Sequence, residues 1–349
     1  MSRLDEAMVL VSIPSVSRNE ERLAGHIERR LRENPALDVE RIGDNVVART
    51  RGHHQTRLLV AGHLDTVPGD QFSARIVNDH LVGLGACDMK GSLSVMLELA
   101  LDPSPRSIEV TWVFYAREEI ARSESGLLEI GELRPDLLDA DAAILAEPTG
   151  GFVEAGCQGT LRIAVELTGV RAHVARPFTG RNAIHRMGEL IHHVARYEPR
   201  VVEIEGVTYV EQLQAVAVDG GVASNVVPDR CSCTFNHRVA PDRSRSEAIE
   251  WLRGYLEGFI ETDDTFEVLD WAPPAGPNLS NARLQSLVEM TGGSARGKVG
   301  WTDVATLCER GVPATNFGAG DPLLAHHSDE FVTADDLDHF AKVLGDWLR

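Results

Sequence analysis

The residues Leu58-Leu59-Val60-Ala61-Gly62-His63-Leu64-Asp65-Thr66-Val67-Pro68 constrain the fold more than any other stretch of this chain. An apolar run of strand type, Arg57 to Ala61, ends in glycine. An imidazole and a carboxylate follow where the backbone leaves the sheet. In open α/β sheets, ligands bind in the crevice outside the carboxyl ends of the strands. A histidine placed there can bind a metal or move protons. Asp65, two residues on, is placed to take the other ring N–H and fix the tautomer. A turn with a hydrogen-bonded histidine would give the same local pattern, so the reading depends on what other strand ends carry.

They carry the same kind of residue. Ser107 to Ala116 is the strongest strand signal, and it runs directly into Arg117-Glu118-Glu119. Adjacent carboxylates point in different directions, so one can bind a cation while the other faces a water on that cation; a solvated surface pair is the bland alternative. Ala142 to Ala146 is a third apolar run, ending in Glu147-Pro148-Thr149. Gly83-Leu84-Gly85-Ala86-Cys87-Asp88-Met89-Lys90-Gly91 opens a helix over Ser92 to Ala100. Its Gly-x-Gly is not a dinucleotide fingerprint, because Asp88 stands where the third glycine belongs and would repel a pyrophosphate. Asp88 then either caps the helix or bridges two cations. Ala325-His326-His327-Ser328-Asp329-Glu330 precedes a closing amphipathic helix, Ala334 to Leu348.

With 349 residues, 43% hydrophobic and 25% charged, the chain is expected to form two globular domains. The start, Met1 to Glu6, lacks a basic region followed by an apolar one, and no apolar run approaches the roughly 18 residues needed to span a bilayer. Five cysteines without a Cys-x-x-Cys pattern fit reduced thiols, so a cytoplasmic location is expected. A formal net charge of −19 argues against nucleic acid or an anionic membrane as partner. The opening segment has helical spacing from Asp5 to Arg32, broken at Pro14. His53 and His54, in a polar turn between strands, read as solvated loop residues.

His63, Asp88, Glu118 or Glu119, Glu147 and His326 or His327 thus all fall at strand ends or in adjoining loops. Two imidazoles with three or four carboxylates suit a pair of borderline divalent ions, Zn, Co or Mn rather than Ca or Mg. Such ions, about 3.5–4 Å apart, activate a water and polarise a carbonyl. A remaining glutamate would serve as general base, worth roughly 10²–10⁴ in rate.

At these residues the sequence resembles the M20 family of metallopeptidases and amide hydrolases. The family's His-x-Asp-x-Val-Pro matches His63 to Pro68, and its Gly-x-x-Asp-Met-Lys-Gly matches Gly85 to Gly91. Its Glu-Glu matches Glu118-Glu119, its Glu-Pro-Thr matches Glu147 to Thr149, and its His-x-x-Asn/Asp-Glu region matches His326 to Glu330. The resemblance implies that His63 and Glu147 hold one metal, that Glu119 and His326 hold the other, and that Asp88 bridges them. It further implies that Asp65 orients His63 and that Glu118 is the base. His326 is taken over His327 by counting back from Glu330. The implied ions are two, zinc with cobalt as the alternative.

The middle of the chain changes character. Alternating strands at Leu161 to Thr168, Leu213 to Val218, Cys231 to Arg238 and Thr265 to Trp271 accompany helices at Asn182 to Arg196 and Arg243 to Phe259. The expected fold is an α/β metallohydrolase core over 1–159 and 276–349, with a mixed, mostly parallel sheet flanked by helices. Residues 160–275 are an inserted α+β domain ending in a proline-rich hinge, Trp271 to Pro277. In the family this insertion is the lid or dimerisation domain, so a homodimer is expected. By resemblance, His173 is an oxyanion donor, while Arg176, Asn225, Arg238 and, in the core, Thr302 contact substrate. Asn236 stands where many relatives have Asp, which leaves the orientation of Arg238 open. His185, Glu189 and His192 share a helical face that is read as exposed, and Cys231 and Cys233 are read as buried small hydrophobes.

Within the family, Phe114 to Ile120 and Arg171 to Ile184 look most like the actinobacterial members that remove succinate from N-succinyl-LL-2,6-diaminopimelate. The expected substrate is therefore a small N-acyl amino acid. The alternatives are another N-acyl-amino-acid deacylase, a metallocarboxypeptidase, or an inactive copy of the fold used as an interaction scaffold. No Gly-x-Ser-x-Gly and no His-Glu-x-x-His occurs, so the sequence carries neither a serine-hydrolase nor a zincin motif.

Overall fold

A computed structural model describes every residue except Met1, His53 and Pro105, so His53 lies outside the described residues. The chain divides into two compact units. One comprises Met1–Gly156, Pro277–Arg296 and Thr302–Arg349, the other Cys157–Gly276 and Gly297–Trp301. The short strip 297–301 joins the second unit because Gln158 N–H donates to the Lys298 carbonyl (3.2 Å) and Trp301 Nε1 to the Pro273 carbonyl (3.0 Å).

The first unit is built on an eight-stranded sheet. It begins with the hairpin β1 (Leu37–Ile42) and β2 (Asn45–Thr50), followed by β3 (Arg57–His63), β4 (Glu109–Tyr115) and β5 (Ala142–Leu145). The order across the sheet is β1, β2, β4, β3, β5, then Ala314–Asn316, Val153–Ala155 and Ala295–Gly297. β4, β3, β5 and Ala314–Asn316 run parallel, while β1, β2 and Val153–Ala155 pair antiparallel. Every residue of β4 and β5 is buried. Strands covered on both faces read as continuous apolar runs, which is why these were visible in the sequence.

Helices α1 (Arg3–Val11), α2 (Glu21–Leu31) and α3 (Gly91–Leu101) cover the sheet with the closing helix Ala334–Trp347. α1 starts in a Ser2–Asp5 capping box, and the closing helix in one formed by Thr333 and Asp336. The closing helix buries Leu337, Phe340, Leu344 and Trp347, a stripe of helical period. Trp112 of β4 and Leu93 and Met96 of α3 lie in the same fully buried cluster. Among the described residues, no helix is long and apolar enough to cross a membrane.

The second unit is a four-stranded antiparallel sheet in the order Gln212–Gly220, Arg230–Val239, Gly159–Thr168, Thr265–Ala272. Burial alternates strictly along Arg230–Val239, so one face is covered and the other is not. Helix Ala183–Val194 covers it with Ala183, Met187, Leu190 and Val194, and helix Arg245–Leu256 with Ala248, Leu252 and Leu256. Cys231 and Cys233 are buried in that layer, while His185, Glu189 and His192 are exposed. A hairpin, Val201–Ile204 with Val207–Val210, and a two-residue ribbon, Ala172–His173 with Val226–Val227, are additions that alternation alone did not reveal.

Gly62, which places His63 at the strand end, has no room for a side chain. A Cβ there would lie 2.6 Å from Leu93 Cδ2 and from Met89 Cε. Gly62→Ala is therefore expected to destabilise the protein by about 1–3 kcal/mol through overpacking. Denaturant unfolding checks this, and an unchanged midpoint would contradict it.

Candidate metal centre and active site

The four parallel strands all present their carboxyl ends on one side of the first unit, and the sequence places an ionisable residue at or just beyond three of them. His63 closes β3 opposite Tyr115, the last residue of β4, whose ring meets the imidazole edge-on at 6.4 Å between centroids. His63 Nδ1 lies 3.0 Å from the Asp65 backbone carbonyl, and Nε2 lies 3.0 Å from Asp88 Oδ1. An Nδ1–H donated to that carbonyl leaves Nε2 as the ligand nitrogen.

Asp65 meets the ring with both its backbone and its side chain. Its carboxylate Oδ1 stands 3.6 Å from the ring, farther than its own carbonyl. The side chain also accepts the N–H groups of Glu118 (2.9 Å) and Glu119 (3.0 Å) and the Ser17 hydroxyl (2.7 Å). Asp65 thus ties the end of β3 to the loop that follows β4. Burial works to raise its carboxyl, but His63 and these donors hold it below the ordinary range.

Asp88 does not cap α3, whose N-cap is Lys90 with no side-chain bond. It sits in an irregular turn, Ala86–Lys90, followed by a cis Asp88-Met89 peptide. Its two oxygens face different imidazoles: Oδ1 faces His63, and Oδ2 is 3.5 Å from His326 Nε2. The same His326 nitrogen is 2.9 Å from Glu119 Oε1. The ring that reaches these carboxylates is that of His326, which adopts φ 66°, a left-handed conformation uncommon outside glycine and concentrated at functional sites. His63, Asp88 and Glu119 offer ligand atoms that all lie within 4.8 Å of one another.

The electrostatics favour positive charge at this point. Burial opposes protonation of His63, but hydrogen bonds to Asp65 and Asp88 and the charges of Asp88 and Glu147 hold it well above its usual pKa. His326 is pushed up to about 10 by hydrogen bonds to Asp88 and Glu119. Burial and the charge of Glu147 raise Glu118 well above the carboxylate range, with Glu119 and Asp303 adding to the effect. A carboxyl raised in this way takes up a proton more readily than an ordinary glutamate, as a general base requires.

Comparison with known proteins identifies the lineage. Residues 59–349 match the family model for peptidase family M20/M25/M40. The chain belongs to this family. A putative succinyl-diaminopimelate desuccinylase of Mycobacterium tuberculosis is 47% identical over 325 residues, 93% of this chain and 91% of the relative. A succinyl-diaminopimelate desuccinylase of Corynebacterium glutamicum is 41% identical over 349 residues, 97% and 94% of the two chains. The crystal structure of a tripeptidase from Staphylococcus aureus has the same fold, with a TM-score of 0.80 at 21% identity, covering 99% of this chain and 96% of that one. Membership of M20 makes the chain a metal-dependent amide hydrolase.

The donors of this M20 core fit cations: an imidazole pair and converging carboxylates form a set suited to borderline divalent ions. Glu147, buried just beyond β5, adds charge felt by both His63 and Glu118. Thr302, the substrate donor expected in the core, belongs to the first unit. Its buried hydroxyl donates to Asn316 Oδ1 (2.9 Å), whose amide in turn donates to the Glu154 and Gly156 carbonyls, so its one proton is directed inward. Asp303 beside it is also internal, accepting from Ser125 and Thr306. His173, Arg176, Asn225 and Arg238 belong to the second unit. There the ribbon sets His173 opposite Val226, and Val174 N–H donates to the Asn225 carbonyl (3.2 Å), joining two expected substrate contacts that lie far apart in the chain.

Three residues received no role from sequence. Ser17 holds Asp65; Lys90 is fully buried, with Nζ donating to the Ile13 carbonyl (2.8 Å) and its pKa lowered to about 7 by burial; Glu330 accepts the N–H groups of the Asp88 turn. The last two stand inside recognised motifs, which was the one available signal.

An imidazole nitrogen must be deprotonated to bind a metal ion, and both histidines are held protonated at neutral pH in the metal-free protein. Metal binding is therefore expected to release protons, and apparent affinity to rise with pH, roughly tenfold per unit for each proton released. The contribution of His326 to that rise ends once pH passes its pKa of about 10. Calorimetry in buffers of different ionisation enthalpy counts the protons. Affinity independent of pH across the neutral range would contradict the arrangement.

Proposed function

We propose that this protein hydrolyses N-succinyl-LL-2,6-diaminopimelate to succinate and LL-2,6-diaminopimelate, a step of lysine and diaminopimelate biosynthesis, in the cytoplasm. The observation that carries the hydrolytic reading is the carboxylate of Asp88 shared between His63 and His326, with Glu118 within electrostatic reach of the same His63. The choice of acyl group is supported by two relatives, 47% and 41% identical, whose names specify that substrate.

We assign His63 and Glu147 to one divalent ion, Glu119 and His326 to a second, and Asp88 to both, with zinc the expected metal and cobalt the alternative. Bound ions at such a site polarise the scissile carbonyl and lower the pKa of a water. Glu118 removes a proton from the attacking water as its oxygen bonds to the carbonyl carbon. The same carboxyl returns that proton to the departing nitrogen as the C–N bond breaks. His173 Nδ1 accepts the Ala175 N–H (3.0 Å), which puts the ring proton on Nε2 as a donor for the developing oxyanion. Arg176 and Arg238 are the cations assigned to the succinyl carboxylate, with Asn225 as a neutral donor; guanidinium pairs with carboxylate bidentately. Arg238 is anchored by donating from Nη1 to Thr160 Oγ1 (2.7 Å).

The second unit is inferred to act as lid and dimerisation domain. Gln212–Gly220 lies at the edge of its sheet with Val216 and Val218 exposed, an edge suited to pairing with a second copy. A net charge of −19 supports a small-molecule substrate rather than nucleic acid or an anionic membrane.

The testing experiment compares acyl groups. The succinyl substrate is expected to exceed its acetyl analogue by roughly 10²-fold or more in kcat/KM, because a charge clamp left unpaired costs several kcal/mol. Equal or faster hydrolysis of N-acetylornithine would overturn the substrate while leaving the metallohydrolase. Glu118→Gln is expected to keep its metal yet lose turnover, and a tenth of wild-type activity in that variant would refute Glu118 as base. Mixing Glu118→Gln with His173→Ala subunits tests the assembly. If His173 acts on the partner's site, hybrid dimers regain part of the activity; none in a verified heterodimer would refute that role.

A further inference from the structure

Two segments far apart in sequence meet through a single side chain. Glu330 is 1% exposed. Its Oε1 accepts the N–H groups of Cys87 (2.7 Å) and Asp88 (2.8 Å), and its Oε2 accepts that of Gly85 (3.1 Å). Its backbone carbonyl takes the Gly83 N–H as well (2.9 Å). Four backbone donors of the loop that carries Asp88 therefore end on one residue.

The loop needs such a partner. Within Ala86–Lys90, Asp88 has φ −117° and ψ 90°, outside helical geometry, and no side-chain cap holds the start of the turn. Regular secondary structure therefore does not dictate where its carboxylate points. A buried carboxylate whose oxygens both accept N–H donors gives strong, directional bonds. Residues 326–330 thus supply both the imidazole facing Asp88 Oδ2 and the acceptor holding the Asp88 backbone.

We infer that Glu330 is a positioning residue for the bridging carboxylate, and that it sets the affinity of both metal positions at once. This rests on the dinuclear reading above. A terminal ligand such as His326 touches one position, whereas Asp88 faces both histidines, so displacement of Asp88 propagates to each. Glu330→Gln keeps the shape of the side chain but turns an NH₂ toward at least one of the three N–H groups.

The test is a titration of metal-free protein with Co(II), followed by visible absorption and by equilibrium dialysis. Wild type is expected to bind two ions. Glu330→Gln is expected to weaken both by roughly 10–100-fold, as loss of outer-shell partners does, while His326→Ala weakens one. Glu330→Asp, which keeps the charge and both acceptor oxygens, is expected to weaken both to a smaller degree, and stands in if the Gln variant does not fold. A merely structural role would lower the unfolding midpoint and leave the Co(II) affinities of the folded protein unchanged. Wild-type affinities in either folded variant, or weakening confined to one position, would overturn the inference. Fewer than two ions on the wild type would instead refute the dinuclear reading.

Discussion

Mutual repulsion among buried carboxylates is the constraint that the first unit is built to meet. Asp65, Asp88, Glu118, Glu119 and Glu147 gather around the ends of parallel strands, and like charges brought together there call for compensating partners. The structure answers differently for each. Asp65 is surrounded by N–H and O–H donors, and Asp88 lies between two imidazoles. Glu118, by contrast, is raised well above the carboxylate range by burial and the charge of Glu147. The site is therefore graded, with firmly ionised groups below and a proton-holding group beside them. That gradient separates residues suited to binding cations from one suited to moving protons.

Much of this was legible in the sequence because of how parallel sheets are buried. β4 and β5 are covered on both faces, so their boundaries stood out as apolar runs and the acidic residues after them were conspicuous. What escaped had partners far along the chain or depended on backbone detail. The choice between His326 and His327 turns on a left-handed φ at His326, which no pattern of side chains encodes. The sequence spacing of His63 and Asp65 suggested a carboxylate on the ring, yet the chain bends so that the carbonyl arrives first. The hydrogen bond from Thr302 to Asn316 was likewise unreadable, because Asn316 is supplied by a separate strand.

The second unit shows the same division. Strand alternation and helical stripes were readable, since one face of the sheet packs under two helices. The ribbon that brings His173 beside Asn225 was not, because a two-residue pairing leaves no periodic signal. Its effect is nevertheless chemical. It holds His173 in a segment where the Ala175 N–H, two residues on, sets the ring tautomer.

The long reach from Asp88 to Glu330 also has a consequence in time. The two residues are 242 positions apart. At synthesis rates of about 5–20 residues per second, the Asp88 loop exists for roughly 12–50 s before its acceptor is made. During that interval His63 is present and Glu118, Glu119 and Glu147 are added, but the turn is unclamped and His326 is missing. The closing helix, which completes the core, is made later still. The growing chain is in this way a poor trap for stray divalent ions until the 326–330 segment docks.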